Sequence, residues 1–341
     1  MKIALLSRNR NLFSTNRIYN ASIKRGHSVD IIDYVRCYIN IGENQTSIYY
    51  NGQTLGAYDA VIPRIGASQT SYGTAIVRQF EMLGNYCVNK SDAIIASRDK
   101  LRSFQILAKY GIDMPITGYA SHTMDIHDVI EKVGRTPLIM KLLQGTQGNG
   151  MVLAETIKAA ESVMNAFKQV DADILVQEFI KESSGIDIRV IVVGNRVVSA
   201  MQRVAPKGEF RSNVHRGAAT KHIDLTLEEE AIAIKSTKVL GLSIAGVDMM
   251  RSKRGPLVLE VNSSPGLQGI ELLTGADVAG EIINFIEKPD DLKYGNNISM
   301  GFYYIYKKDI LKIKEYLNIP ASFEKDVFPS LAQNLLLDCY K

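Results

Sequence analysis

Two apolar segments in the second half of the chain each carry an acid where a buried strand should have none. Asp248 lies in Ala245-Gly-Val-Asp-Met-Met250, and Glu260 and Asn262 lie in Leu257-Val-Leu-Glu-Val-Asn262. Residues two apart on a strand share a face, so Glu260 and Asn262 point together. If the two strands pair as neighbours, Asp248 joins them. Two carboxylates and an amide oxygen, without His or Cys, form a hard-oxygen donor set. It suits Mg²⁺ or Mn²⁺ bound together with phosphates and does not suit Zn²⁺. The competing reading is the polar face of an exposed hairpin. Val247, Leu259 and Val261 argue against it, because they imply a buried opposite face, where unpaired acids are costly.

A second group of residues could hold an anion. Gly145, Gly148 and Gly150 fall within six residues, a density that lets backbone N–H groups approach a phosphate. No Lys-Ser/Thr follows in the Walker manner, so a phosphate cradle and a plain turn both stay open. Lys141 precedes this loop on an apolar strand and must either reach solvent or meet an anion. Gln177-Glu178-Phe179-Ile180 closes another apolar strand, with Asp187 soon after. Such a segment can offer backbone groups to an adenine edge and a carboxylate to ribose hydroxyls; the alternative is a strand end beside a solvated acid. Arg203, Lys207, Arg211 and Arg216 surround a polar loop that also holds Asn213. Facing a metal–phosphate site, they would stabilise a transferred phosphoryl group; otherwise they form a solvated basic loop. The five histidines include no HExxH pattern.

The elements that must position these residues follow from periodicity. Strands are expected at 2–6, 29–34 and 60–63 and helices at 16–24 and 74–83, an alternation that predicts a small parallel α/β unit. No GxGxxG follows the first strand, which argues against a dinucleotide-binding domain. A helix at 99–110, strands at 138–142, 151–154 and 174–180, and a helix at 157–167 give a second, α+β unit. A hairpin of 189–193 and 197–201 turned at Gly194-Asn195, a helix at 227–240, and strands at 245–250 and 257–261 make the third.

Composition narrows the classes further. Of 341 residues, 46% are hydrophobic and 22% charged, an ordinary globular balance that excludes global disorder, collagen and coiled coil. The formal charge of +4 is too small to imply nucleic acid. Cys37, Cys87 and Cys339 lack CxxC spacing and read as free thiols of a reducing cytosol. No segment approaches the roughly 18 apolar residues of a membrane span. A cytoplasmic location without membrane attachment is the expectation.

The ordered motifs Asp99-Lys100-Leu-Arg-Ser, Lys141, Gly145-Thr-Gln147-Gly148, Gln177-Glu-Phe-Ile-Lys-Glu, Asp187-Ile-Arg189, Phe210-Arg-Ser-Asn213, Gly246-Val-Asp248 and Leu259-Glu-Val-Asn-Ser-Ser-Pro-Gly266 resemble the ATP-grasp ligases. More closely, the chain resembles the RimK family of alpha-L-glutamate ligases that modify ribosomal protein S6. Val61-Ile-Pro-Arg-Ile-Gly66, Tyr72-Gly-Thr-Ala75 and Gln79-Phe-Glu-Met-Leu-Gly84 fit that family as well, and the resemblance covers residues 1 to about 288.

The resemblance implies an ATP-grasp fold. A small parallel α/β N-terminal domain (1–95) is followed by a central ATP-grasp domain (96–185) and a C-terminal one with the metal site (186–288). ATP would lie between the last two. Lys100 and Lys141 would contact phosphates, and Gly145, Gln147 and Gly148 would close over them. Glu178 and Phe179 would present backbone groups to adenine, with Asp187 on ribose. Arg211, Ser212 and Asn213 would line the γ-phosphate and the acceptor carboxylate, Arg211 and Asn213 as catalytic residues. Asp248, Glu260 and Asn262 would hold two Mg²⁺ or Mn²⁺ ions, with Glu260 bridging.

The implied reaction phosphorylates the C-terminal carboxylate of ribosomal protein S6, and free L-glutamate attacks the acyl phosphate. A related ligase joining an amino acid to another carboxylate acceptor is the alternative. A catalytically silent nucleotide-binding regulator is disfavoured by the intact acids, and an RNA-binding protein by the lack of an aromatic RNP pattern. The family implies a homo-oligomer, a tetramer being favoured, with no direct nucleic-acid partner. From charge alone, Arg203 and Lys207 are expected to bind carboxylates of glutamate or of an acidic protein tail. Residues 289–341 form an appended tail. Its Gly301–Asp309 and Ser322–Pro329 stretches are similar to a piece of sugar nucleotidyltransferases without their glycine-rich motif, so no catalysis is assigned to it.

Overall fold

The structure is a computed structural model and describes residues 1–42, 46–120, 126–142, 150–169, 173–212 and 217–288. The expectations for the tail and for Gly145, Gln147, Gly148, Asn213 and Arg216 lie outside these residues. Strand β1 (Lys2–Leu6) is apolar after its lysine and wholly buried from Ile3 on. Burial on both faces is what a central parallel strand requires. Helix α1 (Phe13–Lys24) returns the chain to β2 (Ser28–Ile32), which pairs in parallel with β1.

The chain then forms a small antiparallel sheet that periodicity did not predict, from β3 (Cys37–Asn40), β4 (Ser47–Tyr50) and β5 (Gln53–Thr54). Its strands are short, and Tyr38 and Tyr49 stack across it at 5.0 Å, so the apolar alternation is faint. Strand β6 (Ala60–Pro63) closes the parallel sheet in the order β2-β1-β6, and α2 (Thr70–Met82) packs on it.

The helix expected at 99–110 is α4 (Lys100–Lys109); α3 (Ser91–Arg98), directly before it, was not predicted. Asp99 divides them, because its carboxylate accepts from the Arg102 N–H at 3.0 Å and so caps α4. The next unit comprises β7 (Thr117–Ala120), α5 (Ile126–Val133), β8 (Leu138–Leu142), β9 (Met151–Ala154), α6 (Ile157–Gln169) and β10 (Ile174–Glu178). Its four strands form an antiparallel sheet in the order β7-β10-β8-β9. Leu138, Met140, Ile174 and Val176 of one face pack against Ile130 of α5 and Met164 of α6. The other face carries Leu175, which joins a core with Phe104 and Leu107 of α4.

The last unit is a five-stranded antiparallel sheet. It uses β11 (Ile186–Val193), β12 (Arg196–Val204), β13 (Ala219–Lys221), β14 (Ile244–Ser252) and β15 (Gly255–Asn262), in the order β13-β12-β11-β14-β15. Helix α7 (Leu227–Val239) enters through a Thr226–Glu229 capping box and packs on the sheet. Helix α8 (Gln268–Thr274) and the apolar α9 (Val278–Glu287) follow, and α9 packs against α1. One continuous core therefore holds Ile3, Leu5 and Ile18 of the first unit and Ile191, Ile244 and Ile282 of the last. No helix among the described residues is long and apolar enough to cross a membrane.

Asn89 fastens the first and last units beside the future site. It is buried, donates to the carbonyls of Ile244 (2.7 Å) and Ser263 (2.9 Å), and accepts from the N–H groups of Ser243 (2.7 Å) and Ile244 (2.9 Å). These four bonds use the full capacity of the amide. Asn89→Ala strands four buried backbone groups and should cost about 3 kcal/mol. Chemical denaturation of the full chain checks this; a midpoint equal to that of the parent would contradict it.

Candidate active site

The five-stranded sheet carries charge on the face opposite its α7 side. Period-two alternation puts Asp187 and Arg189 on that face of β11, with Asp187 opposite Arg203 of β12 and Arg189 opposite Asp248 of β14. Asp248 in turn lies opposite Glu260 of β15, as the neighbouring-strand reading required. Val247 and Val261 are buried on the other face.

Arg189 donates to both oxygens of Asp248 at 2.7 and 2.6 Å. Arg203 donates to both oxygens of Asp187 at 2.6 Å and also reaches Asp248 Oδ2 at 2.9 Å. Ser212 Oγ donates to Asp187 Oδ2 at 2.5 Å. Two guanidiniums thus balance two carboxylates in a bidentate network. Burial would push the Asp248 carboxyl up, but Arg189 and Arg203 overcome it and hold it well below the usual carboxylate range.

Glu260 is the third acid, and among the described residues no guanidinium is dedicated to it. The nearest, Arg189 Nη2, is 4.0 Å away. Its side chain is 53% exposed to the cleft, yet the cleft walls displace much of its water. That dehydration, with the adjacent Asp248 charge, pushes the Glu260 carboxyl up. Asn262 Nδ2 donates to Glu260 Oε1 at 3.0 Å, so the two share a face as expected.

The donor set fits a divalent cation. Glu260 and Asn262 open to the cleft beside Asp248, whose Oδ1 accepts from Arg189 Nε. A cation would supply the counter-charge that Glu260 lacks. Among the described residues no group of three or more His, Cys, Asp or Glu could hold a metal alone; water or phosphate oxygens would complete the shell.

Ammonium groups from the four-stranded sheet and α4 approach the same carboxylate. Lys141 Nζ donates to Gln177 Oε1 at 2.5 Å, and Gln177 Nε2 donates to Thr117 Oγ1 at 2.9 Å. Burial pushes the Lys141 ammonium down to about 8, with Glu260 opposing and Lys100 adding repulsion. Lys100, whose Nζ lies 3.4 Å from the Leu142 carbonyl, is likewise pushed down by burial. Lys100, Lys141 and Glu260 therefore share one electrostatic neighbourhood.

Three expectations change. Arg203 does not present itself to a substrate carboxylate: it is 3% exposed and spent on Asp187 and Asp248. Asp187, expected on ribose, is 5% exposed and accepts three protein hydrogen bonds. Ser212, expected at the γ-phosphate, is equally buried and turned to Asp187.

The remaining residues sit at the rim. Arg211 pairs with Glu209 at 2.9 and 2.6 Å and borders a cavity of about 500 Å³ that β9, the start of α6 and Phe210 also line. Lys207 is exposed on the turn after β12. The Glu178 carboxylate forms a two-point pair with Arg254 of the β14–β15 turn at 2.8 Å, and its N–H is taken by the Ile116 carbonyl at 2.8 Å. Phe179 follows it, half-buried. Arg189 was missed as a functional residue. Its signal was the Asp-x-Arg alternation on an otherwise apolar strand.

Model profiles of known families match nearly all of this region. Residues 1–94 match the RimK PreATP-grasp domain, and residues 97–286 match the RimK-like ATP-grasp domain. The chain belongs to the RimK-like ATP-grasp family.

A probable alpha-L-glutamate ligase of Vibrio parahaemolyticus is 59% identical over 288 residues, 84% of this chain and 96% of that protein. Among solved structures, the ATP-grasp ligase PsnB, in complex with a phosphomimetic precursor variant, Mg and ADP, shares the fold with a TM-score of 0.64 at 20% identity, over 84% of this chain and 97% of that one. An ATP-grasp RimK domain protein of Sphaerobacter thermophilus gives 0.63 at 22%, over 84% and 99%. The five-stranded sheet and the sheet of Lys141 are thus ATP-grasp units, and the chain is an ATP-dependent ligase.

In this ATP-grasp sheet, Arg203→Met leaves Asp187 with no guanidinium and Asp248 with one. Breaking a buried pair from one side costs about 3–5 kcal/mol. Denaturant unfolding should show a loss of that size; a loss below about 1 kcal/mol would mean that the network is not a structural keystone.

Proposed function

We propose that the chain is an alpha-L-glutamate ligase that extends the C-terminus of ribosomal protein S6, using ATP through an acyl phosphate. The convergence of Lys100 and Lys141 on Glu260, beside Asp248 and Asn262, carries this reading. Cations on one wall and hard-oxygen donors on the other are what a metal-bound triphosphate needs. The 59% identity to a probable alpha-L-glutamate ligase supports the choice of amino acid.

In the proposed reaction the acceptor carboxylate attacks the γ-phosphorus, the bond to the β-phosphate oxygen breaks, and ADP leaves. The amine of L-glutamate then attacks the acyl carbon, phosphate departs and an amide forms; the nitrogen, an ammonium in free glutamate, gives up two of its three protons and keeps one as the amide N–H. No side-chain nucleophile is needed, so catalysis rests on charge neutralisation and positioning.

Lys100 and Lys141 hold the phosphates, with Gly145, Gln147, Gly148, Arg211 and Asn213 proposed around them. Glu178 and Phe179 are proposed at adenine, the N–H of Phe179 serving better than that of Glu178, which Ile116 occupies. Two Mg²⁺ or Mn²⁺ ions, held by Asp248, Glu260 and Asn262, would supply Lewis-acid neutralisation of the phosphate charge. Lys207, exposed on its turn, is proposed to meet an acidic protein tail. A cytoplasmic homo-oligomer, as a tetramer, and the domain limits 1–95, 96–185 and 186–288 belong to the same proposal. A second acceptor class is favoured by one observation: the ATP-grasp ligase PsnB, which shares the fold, was solved with precursor peptide PsnA2.

Incubation with ATP, Mg²⁺, L-glutamate and S6 should add mass to S6 in glutamate steps, read by mass spectrometry. ADP release without that shift would assign another acceptor. Glu260→Ala should lower turnover by at least about a hundredfold, and a chelator should do the same reversibly to the parent; an active variant would overturn the metal assignment.

Lys141 gives a pH test. Its ammonium is pushed down to about 8, so near that pH the free protein carries it partly neutral. A phosphate beside it favours the charged form, so nucleotide binding should take up part of a proton at pH about 8. Lys141's contribution to affinity is full below that pH and is lost above it. Calorimetry in buffers of different ionisation enthalpy reads the uptake, and Lys141→Met should remove it. Undiminished uptake in the variant would place the phosphates elsewhere.

A further inference from the structure

The Pro63-Arg-Ile-Gly66 stretch is not among the residues proposed for the nucleotide, yet it brings Arg64 together with Arg98. Arg64 follows β6 directly and so emerges at the C-terminal edge of the β2-β1-β6 sheet, the edge at which open parallel sheets bind ligands. Its Nη2 donates to the Pro265 carbonyl at 2.6 Å. Among the described residues that is the single acceptor for five N–H donors.

Arg98 lies close enough to repel it. Arg98 is itself held by the carbonyls of Ile65 and Gly66 and by Thr70 Oγ1. Neither guanidinium has a carboxylate partner among the described residues, whereas Arg17, Arg25, Arg189, Arg196, Arg203, Arg211, Arg251 and Arg254 all do. Burial and the Arg98 charge push the Arg64 guanidinium down to about 10. Two half-buried like charges with spare donors are costly unless an anion joins them.

The position of the pair indicates which anion. Pro265 is three residues beyond Asn262, a chain distance of at most about 11 Å. The Ser264 hydroxyl also lies 3.5 Å from the Pro63 carbonyl, so this turn and the end of β6 are in contact. The phosphates are already provided for by Lys100, Lys141 and the oxygen-donor set.

We propose that Arg64, fixed against the Pro265 turn and beside Arg98, is a binding site for a substrate carboxylate at the junction of the first and last units. This rests on the ligase reading above, in which both the amino acid and the acceptor are carboxylates. The guanidinium fork matches a carboxylate in two-point fashion, which a lysine cannot do.

Calorimetry on the full chain with a non-hydrolysable ATP analogue and Mg²⁺ tests it, using L-glutamate and a glutamate-terminated peptide as separate probes. Arg64→Ala should weaken one of the two by about ten- to a hundredfold while nucleotide affinity and thermal midpoint hold. Loss confined to glutamate assigns the amino-acid carboxylate; loss confined to the peptide assigns the acceptor. Should the alanine variant misfold, Arg64→Lys, which keeps the charge but not the fork, should show a smaller loss of the same probe.

Unchanged affinity for both probes, failure of the parent to bind either, or a parallel fall in nucleotide affinity would overturn the site. Arg64-dependent carboxylate binding without glutamate-dependent product would keep the site and sink the ligase reading instead.

Discussion

Arg203 is shared between Asp187 and Asp248 inside the five-stranded sheet, and the candidate site depends on that sharing. A guanidinium and two carboxylates at 3–5% exposure are tolerable only because nearly every donor and acceptor is met. Arg189 completes the balance on the far side of Asp248. The charge of two arginines is then used up by two acids, and Glu260, next along the row, has no dedicated guanidinium among the described residues. An apolar replacement of the network would fold as well by burial alone. It would not fix Asp248 in one orientation beside Glu260.

The cleft residues stand on the strands of two sheets. The four-stranded sheet offers Lys141 through a Gln177–Thr117 relay, and the five-stranded sheet offers Glu260 and Asn262. Among the couplings that bind the last unit to its neighbours, two are large. The core shared by α1, β1, α9 and β11 fixes it to the first unit. The Glu178–Arg254 pair ties the four-stranded sheet to the β14–β15 turn. Asn89 sits where the first and last units meet and reaches the backbone on either side of the oxygen-donor strands. A displaced β15 would move Glu260 and Asn262 together, so stability and site geometry are one problem in this fold.

Legibility followed the strength of local signals. β6, β8 and β9 stood at their predicted limits because short apolar runs bounded by Pro or polar residues have few alternatives. Helix α4 starts where the helix from Asp99 was expected, but the eight-residue α3 directly before it was missed. β3 to β5 were missed because stacked tyrosines on a short sheet give no clean alternation. For the site, the period-two rule placed Glu260 with Asn262 correctly. The same rule, applied to Asp187 and Arg189, would have found the ladder.

Residue types and order by themselves determined the chemical class: oxygen donors without His or Cys, lysine near a glycine loop, and the family motifs that make this an ATP-grasp chain. Only the tertiary structure decided which charges are spent and which are free. Arg203, Asp187 and Ser212 look like ligand-binding residues in one dimension, but strand register turns them toward one another. Arg64 looks like an ordinary loop arginine, but among the described residues the fold gives it no acid. The reason is that a charge acts through its neighbours in space, and antiparallel register, set by distant turns, chooses those neighbours.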